Sequence, residues 1–236
     1  MERGRSRKAR SGCLGRIFGF VLFLIVAAVG VIAAVKYMPS RERADLDALY
    51  AAGGSDRVAL YLNYERQEES GVYVDGQTYL PAAWVDANLN ERFYWDANEE
   101  ILVYALPEEI VKSDETTVDE DGKKILYRDG DAVYLSLALI QKYTDVRLQA
   151  YDGEAQKRVF VENNWDPVTV ADAAWSAKIR LRGGLKSPIV TEIKRGGTVT
   201  VLEQYDNWAR VMTPDGHIGY MHKWKMKNLH GHFAVV

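Results

Sequence analysis

The side chains with chemistry to offer come in two groups. Carboxylates occur as adjacent pairs at Glu68-Glu69, Glu99-Glu100 and Glu108-Glu109, and the four histidines all lie late, at His217, His222, His230 and His232. Cleaving a glycosidic bond needs two carboxylates roughly 5–10 Å apart across the sugar, one with its pKa raised by burial. Neighbouring glutamates in segments that read as exposed turns do not supply that. His230 and His232 form a His-x-His pair that can chelate a metal. A zinc site needs a third protein ligand, and hydrolysis needs a base. The rest of such a motif is absent, so the pair reads as part of a solvated tail. The stretch "RGGLKS" (182–187) has the wrong spacing for a phosphate loop, and no nucleophile-elbow serine occurs. The acidic stretch 107–124 lacks the alternating acids, central Gly and terminal Glu of a calcium loop. The single cysteine, Cys13, allows neither an internal disulfide nor a cysteine-based metal cluster. The expectation is a chain with no catalytic residues, no metal site and no cofactor, and with no nucleic-acid partner.

One stretch, "RFYWDANEEILVYALP" (92–107), combines three aromatics with carboxylates in the manner of a sugar site. Side chains alternate across a strand, so Phe93 and Trp95 share one face while Arg92 and Tyr94 share the other. The same residues therefore also suit a hairpin with one face on a core. What surrounds the stretch decides between these readings.

The charge is unevenly placed. Residues 1–16 carry six Arg/Lys and one Glu, a net +5, and residues 177–236 carry +6. The chain as a whole is −3, which leaves the middle at −14. Segments this different in charge belong to different environments.

Residues 17–35, "IFGFVLFLIVAAVGVIAAV", run for 19 positions without a charge. About 20 apolar residues cross a bilayer as a helix. Arg3, Arg5, Arg7, Lys8, Arg10 and Arg16 precede the run, so the positive-inside bias puts the N-terminus in the cytoplasm and the remainder outside. A cleaved signal peptide would have a shorter apolar core and a small-x-small cleavage site. The reading is a single-pass cell-membrane protein anchored through 17–35, with its C-terminus extracellular. Residues 36–55 read as a juxtamembrane linker. Pro39 bars simple continuation of the helix, and Ser40 opens one further short helix.

The middle, residues 56–162, contains a repeat. "VYVDGQTYLPAAWVDANLNERFYWDANEEILVYALP" from Val72 aligns with "LYRDGDAVYLSLALIQKYTDVRLQAYDGEAQKRVFVEN" from Leu126. Asp75-Gly76 matches Asp129-Gly130, Tyr79-Leu80 matches Tyr134-Leu135, and Arg92 matches Arg147. Such self-similarity marks a duplicated supersecondary unit. Each copy reads as a strand, an Asp-Gly turn, a second strand, a helix and a closing hairpin. "VALYLNY" (58–64) reads as an added edge strand, and 107–124 as a surface loop or ragged hairpin. On this alignment "RFYWDANEEILVYALP" is a closing hairpin whose aromatics pack in a core. The Tyr-Leu-Pro helix start followed by "RFYWD" resembles the copper amine oxidase N-terminal-like domain of Firmicutes surface proteins, which also holds two such repeats. The second copy departs from that pattern at Ser136 and Ala150. The family's name does not imply copper here, because 56–162 contains no histidine.

Residues 163–176 read as a linker. Residues 177–229 show five short strands punctuated by turns, the pattern of a small barrel, and 230–236 read as a tail. "GGTVTVLEQYDNWARVMTPDGHIGYMH" resembles the bacterial SH3-like domain, especially at Trp208 and Gly219-Tyr220. The resemblance implies a cell-wall ligand module, with peptidoglycan or another wall polymer as partner. Tyr205, Trp208, Tyr220 and Trp224 are the candidate ligand-binding residues, since aromatic faces pack on peptides and sugars. The alternative is that Trp208 and Tyr220 fill the barrel.

The expected architecture is an N-terminal transmembrane helix, a duplicated α+β stalk domain and an all-β SH3-like barrel. The expected function is non-catalytic attachment to cell-wall material. Two other readings are the targeting portion of a split or truncated family eighteen glycoside hydrolase, which this order of segments resembles, and a surface scaffold that docks a protein partner.

Overall fold

A computed structural model of the chain describes residues 12–153, 155–165 and 167–232. Most of the basic segment 1–16 and the end of the tail, 233–236, lie outside the described residues. Helix α1 spans Gly12–Tyr37. Its Ile17–Tyr37 stretch, with a mean hydropathy of 2.9, is long and apolar enough to cross a membrane, a property shared by anchors and signal sequences. The short helix expected from Ser40 starts later. Helix α2 is Leu46–Tyr50, and its N-cap is Asp45, whose Oδ1 accepts the Ala48 N–H at 3.1 Å. Asp caps as well as Ser, and the cap used is Asp45, five residues beyond the expected Ser40.

The middle body contains β1 (Arg57–Leu62), β2 (Glu65–Val74), β3 (Gln77–Pro81), α3 (Ala82–Asn88), β4 (Phe93–Asp96), β5 (Ile101–Ala105), β6 (Ile110–Ser113), β7 (Leu126–Asp129), β8 (Ala132–Ser136), α4 (Leu137–Tyr143), β9 (Arg147–Tyr151) and β10 (Arg158–Glu162). Seven of these strands form one sheet in the order β7-β8-β3-β2-β1-β10-β9, and β4-β5-β6 form a second. The edge strand expected at 58–64 is instead central, antiparallel to β2 and parallel to β10. Its sequence gives the reason. Val58 and Leu60 point to one face, Ala59 and Tyr61 to the other, and all four are buried. A strand apolar on both faces belongs inside a covered sheet.

Strands β3 and β8 pair antiparallel with Leu80 opposite Leu135, Tyr79 opposite Ser136 and Pro81 opposite Tyr134. Helices α3 and α4 follow these strands directly and press Trp84, Val85, Leu139 and Ile140 onto a core shared with Phe93, Leu102, Tyr104 and Val159. Each large apolar side chain buried in this way contributes about 1.5–3 kcal/mol. Phe93 is buried in that core, whereas Tyr94, on the other face of β4, is 63% exposed. Within 107–124, part of the expected loop is strand β6, paired with β5.

The C-terminal module contains β11 (Val168–Ala173), β12 (Ala177–Arg180), β13 (Ile189–Ile193), β14 (Thr198–Gln204), β15 (Trp208–Met212), β16 (Ile218–His222), a 3₁₀ turn (Lys223–Lys225) and β17 (Met226–His232). They form one antiparallel sheet in the order β13-β12-β16-β15-β14-β11-β17. Strands β12 to β16 are the five read from the sequence. Two strands lie outside that reading. β11 occupies much of the expected linker 163–176, and β17 runs into the expected tail 230–236. The inward positions of β11 are Ala171 and Ala173, too small to give a hydrophobic signal. In β17, Asn228 sits at φ +53° opposite a register shift in β11, which breaks strand alternation.

The parts are joined on the reverse face of the middle sheet. Ala59, Tyr61 and Phe160 pack there with Tyr50 of α2 and Met212 of β15. The linker is also fixed in place. Ala44 N donates to the Ile189 carbonyl at 2.7 Å and Ile189 N to the Glu42 carbonyl at 2.8 Å, so residues 42–44 extend the sheet beside β13.

Candidate functional site

The outward face of the β15–β16 hairpin carries the aromatic residues. Ala209, Val211 and Met221 point into the module core. Period-two alternation then sends Trp208, Arg210, Tyr220 and His222 outward. The turn between Met212 and Ile218 sets the register, with Trp208 opposite His222 and Arg210 opposite Tyr220. Asp206-Asn207, the turn before β15, brings in Tyr205, whose N–H donates to the Trp208 carbonyl at 2.8 Å. The 3₁₀ turn after β16 presents Trp224.

These rings form two groups along one face, a strip of a pair and a triplet. Tyr205 and Tyr220 have centroids 5.9 Å apart, Trp208 and His222 4.9 Å, and His222 and Trp224 6.0 Å. Trp224 is 61% exposed and Tyr205 46%, while Trp208, Tyr220 and His222 are half-buried. All four residues read from the sequence as ligand-binding therefore lie on one surface, and Trp208 and Tyr220 do not fill the module interior. Trp208 instead leans on the loop before β13. A Cβ at Gly183 would lie 3.3 Å from its Cγ, so the glycine lets the indole settle.

Polar groups hold the strip in shape. The Tyr205 hydroxyl donates to Glu203 Oε2, and Arg210 Nη1 donates to Glu203 Oε1 at 2.7 Å. The hydrogen bond to Glu203 and then the one shared with Tyr220 push the Tyr205 hydroxyl up to about 12. The same bonds from Tyr205 and Arg210 hold the Glu203 carboxyl below its usual range. Burial, then the charge of Lys225, lowers the His222 pKa, so this ring is neutral at pH 7. Lys225 Nζ sits 4.4 Å over the Trp224 ring. The result is a neutral aromatic strip edged by cations, suited to holding a flat or amphipathic ligand. The sequence reading missed His222, Arg210 and Glu203. The first two were reachable from the "PDG" turn, which fixes which residues face Trp208 and Tyr220.

The other candidates disperse. Glu68-Glu69 lie in strand β2, not in a turn. Glu99 pairs with Lys112 at 3.9 Å and Glu100 with Arg128 at 2.9 Å. His230 lies in β17 with its ring nitrogen Nδ1 2.6 Å from the Asn228 carbonyl. Among the described residues, no three His, Cys, Asp or Glu side chains group as a metal ion would need.

No curated protein matches the chain. One family does match, over a span that starts at Trp175 and takes in the whole aromatic strip: residues 175–227 are similar to the bacterial SH3 domain.

Proposed function

We propose that the chain is a membrane-anchored extracytoplasmic protein that holds cell-wall material on its SH3-like module and performs no catalysis. The observation that carries this reading is the strip Tyr205–Tyr220 and Trp208–His222–Trp224. Its ends are exposed at Tyr205 and Trp224, the one guanidinium on its face, Arg210, is paired with Glu203 and Glu65, and it is built on a module similar to a family commonly used for wall binding. The surrounding charge supports it, because +6 over 177–236 suits an anionic polymer. On this reading α1 is retained as the anchor, N-terminus inside. The bond from Lys186 Nζ to the Val35 carbonyl favours retention, since cleavage after the apolar run would remove that acceptor.

We further read the middle body as a duplicated spacer. The facing of Leu80 by its sequence equivalent Leu135 supports this, because Tyr79 and Ser136 then exchange places with Tyr134 and Pro81 as a two-fold relation requires. The function is tested by co-sedimentation of the full chain, in detergent, with isolated sacculi. Pelleting that rises with sacculus concentration is expected, and a chain that stays in the supernatant at physiological salt sinks the wall-binding reading.

A further inference from the structure

The loop between β12 and β13 carries "RGGLKS", the segment that matched no phosphate loop. It does not project freely. Lys186 Nζ donates to the Val35 carbonyl in the last turn of α1 at 2.7 Å, and Ser40 N donates to the Leu185 carbonyl at 2.8 Å. Arg180, buried in β12, donates Nη1 to the Ser187 carbonyl at 2.5 Å and Nη2 to the Ser40 carbonyl at 3.2 Å. One guanidinium thus clamps the loop base to the chain leaving the helix. The loop is fixed within a side chain's length of the point where the apolar helix ends.

At that point the loop turns its apolar side chain outward, with Leu185 44% exposed. Arg182 and Lys186 flank it, and both are exposed. Lys36 and Arg41 add two further exposed cations close to the helix end, and beyond them the linker continues with Glu42, Arg43, Asp45 and Asp47. Tyr37 lies at the helix end, where an amphipathic ring suits the boundary between lipid and water. An exposed leucine flanked in the loop by two cations, beside the end of an apolar helix, has the two signatures of an interfacial contact, an apolar tip and charges that complement anionic headgroups.

We propose that the loop 182–187 seats in the headgroup layer of the bilayer that Ile17–Tyr37 crosses, with Leu185 entering the layer and Arg182 and Lys186 binding anionic lipid. This rests on the reading of α1 as a retained anchor. It has a consequence for the aromatic strip. Trp208 packs on Gly183 of this same loop, so the strip begins beside the membrane surface. The cell-wall material it meets is then the membrane-proximal face of the wall.

The test uses the full chain with Cys13→Ser and Leu185→Cys, labelled at 185 with an environment-sensitive NBD dye. It is reconstituted in vesicles of phosphatidylcholine and phosphatidylglycerol that contain headgroup spin-labelled lipid. The same label at Asn98→Cys, in the β4–β5 turn, serves as reference. The expected result is blue-shifted emission quenched by the spin-labelled lipid at 185 but not at 98, with the quenching lost in R182E/K186E. If the chain resists carbonate extraction and the label at 185 behaves like that at 98, the loop proposal is overturned and the anchor stands. If carbonate strips the chain from the vesicles, the anchor reading fails and the loop proposal with it.

Discussion

Arg158 reaches across from the middle sheet to the C-terminal module, where its Nη2 donates to the Asp215 carbonyl at 2.7 Å. The side chain is 0% exposed. Its other terminal nitrogen donates to the Gln156 carbonyl at 2.6 Å, and its guanidinium lies 4.6 Å over the Tyr50 ring and 5.5 Å over Tyr151. A single cation therefore ties together β10, α2, β9 and the β15–β16 turn. Asp215 also bonds the His217 ring nitrogen Nδ1 through its carboxylate at 2.8 Å, and His217 packs on Tyr50 with centroids 5.6 Å apart.

Arg158→Met keeps most of the volume and removes both hydrogen bonds. A hydrogen bond from a charged group is worth about 1.5–3 kcal/mol, and the two carbonyls left behind are part-buried. A loss of about 3 kcal/mol is expected, concentrated at the joint between the bodies. The measurement is urea unfolding followed by near-UV circular dichroism. The wild-type chain should unfold the middle body and the C-terminal module in one transition, and the variant in two. A single transition with an unchanged midpoint would show that the apolar contacts alone hold the joint. The exposed pair Arg43–Glu192 provides the contrast, since breaking it should cost well under about 1 kcal/mol.

Gly216 is held for two reasons that a substitution separates. Its φ is +72°, which L-residues resist, and a Cβ there would lie 2.5 Å from Tyr151 Cε2. Gly130 has φ +63° with open space around it. Gly130→Ala should therefore cost only the backbone strain, about 1–2 kcal/mol. Gly216→Ala adds overpacking against the tyrosine, about 1–3 kcal/mol more. Thermal unfolding midpoints of the two variants check this, and equal shifts would deny the contact between β9 and the "PDG" turn.

Gly130, set beside Gly76, also shows how far the sequence could be read. The Asp-Gly pairs correctly announced hairpins, yet they are used differently. Asp75 and Gly76 both have positive φ and form the two turn residues between Val74 and Gln77. At the other pair Asp129 still pairs with Ala132, so the turn is Gly130-Asp131. Glycine at the second or the first turn position selects a different turn type, which one-dimensional matching does not register. The aromatic strip was legible because alternation and one tight turn determine it. The buried role of Arg158 was not, because an arginine between Lys157 and "VFVEN" reads as a strand-edge charge. Its partners, 57 residues on at Asp215 and 108 residues back at Tyr50, become neighbours only after both bodies fold. The placement of β1 inside the sheet was hidden for the same reason, since its parallel partner β10 lies about 100 residues away.

Within the strip, the exposed and the half-buried tryptophans should separate binding from stability. Trp224 makes ring contacts only with His222 and Lys225 among the described residues, so Trp224→Ala should change stability by no more than about 0.5 kcal/mol. Its affinity for sacculi should fall about tenfold, equivalent to about 1.4 kcal/mol. Trp208→Ala should lower both, because the indole also fills the space above Gly183. Sedimentation isotherms alongside thermal melts distinguish these outcomes. Unchanged binding in Trp224→Ala would remove the strip from the ligand site.

Alkaline pH should open the joint before it unfolds the rest. Burial raises the pKa of Tyr50 to about 12 and raises those of Tyr61 and Tyr151. Tyr64 is raised too, by burial and then by the charge of Glu162. All four line the cluster between the bodies. In the unfolded chain a tyrosine loses its proton near pH 10. Above that pH the unfolded state gives up protons that the folded joint still holds, so stability is full below about pH 10 and falls as pH rises toward 12. Tyr50, held to about 12, contributes a slope of about 1.4 kcal/mol per pH unit in that window. Tyr50→Phe should cost about 1 kcal/mol at neutral pH, since the hydroxyl accepts the Ile218 N–H at 3.2 Å. It should also flatten the alkaline slope by one tyrosine's share. Urea midpoints measured from pH 8 to pH 12 for both chains test this. Parallel slopes would mean that Tyr50 ionises as freely in the folded joint as in the unfolded chain, and that the ring is not sealed between α2 and the C-terminal module.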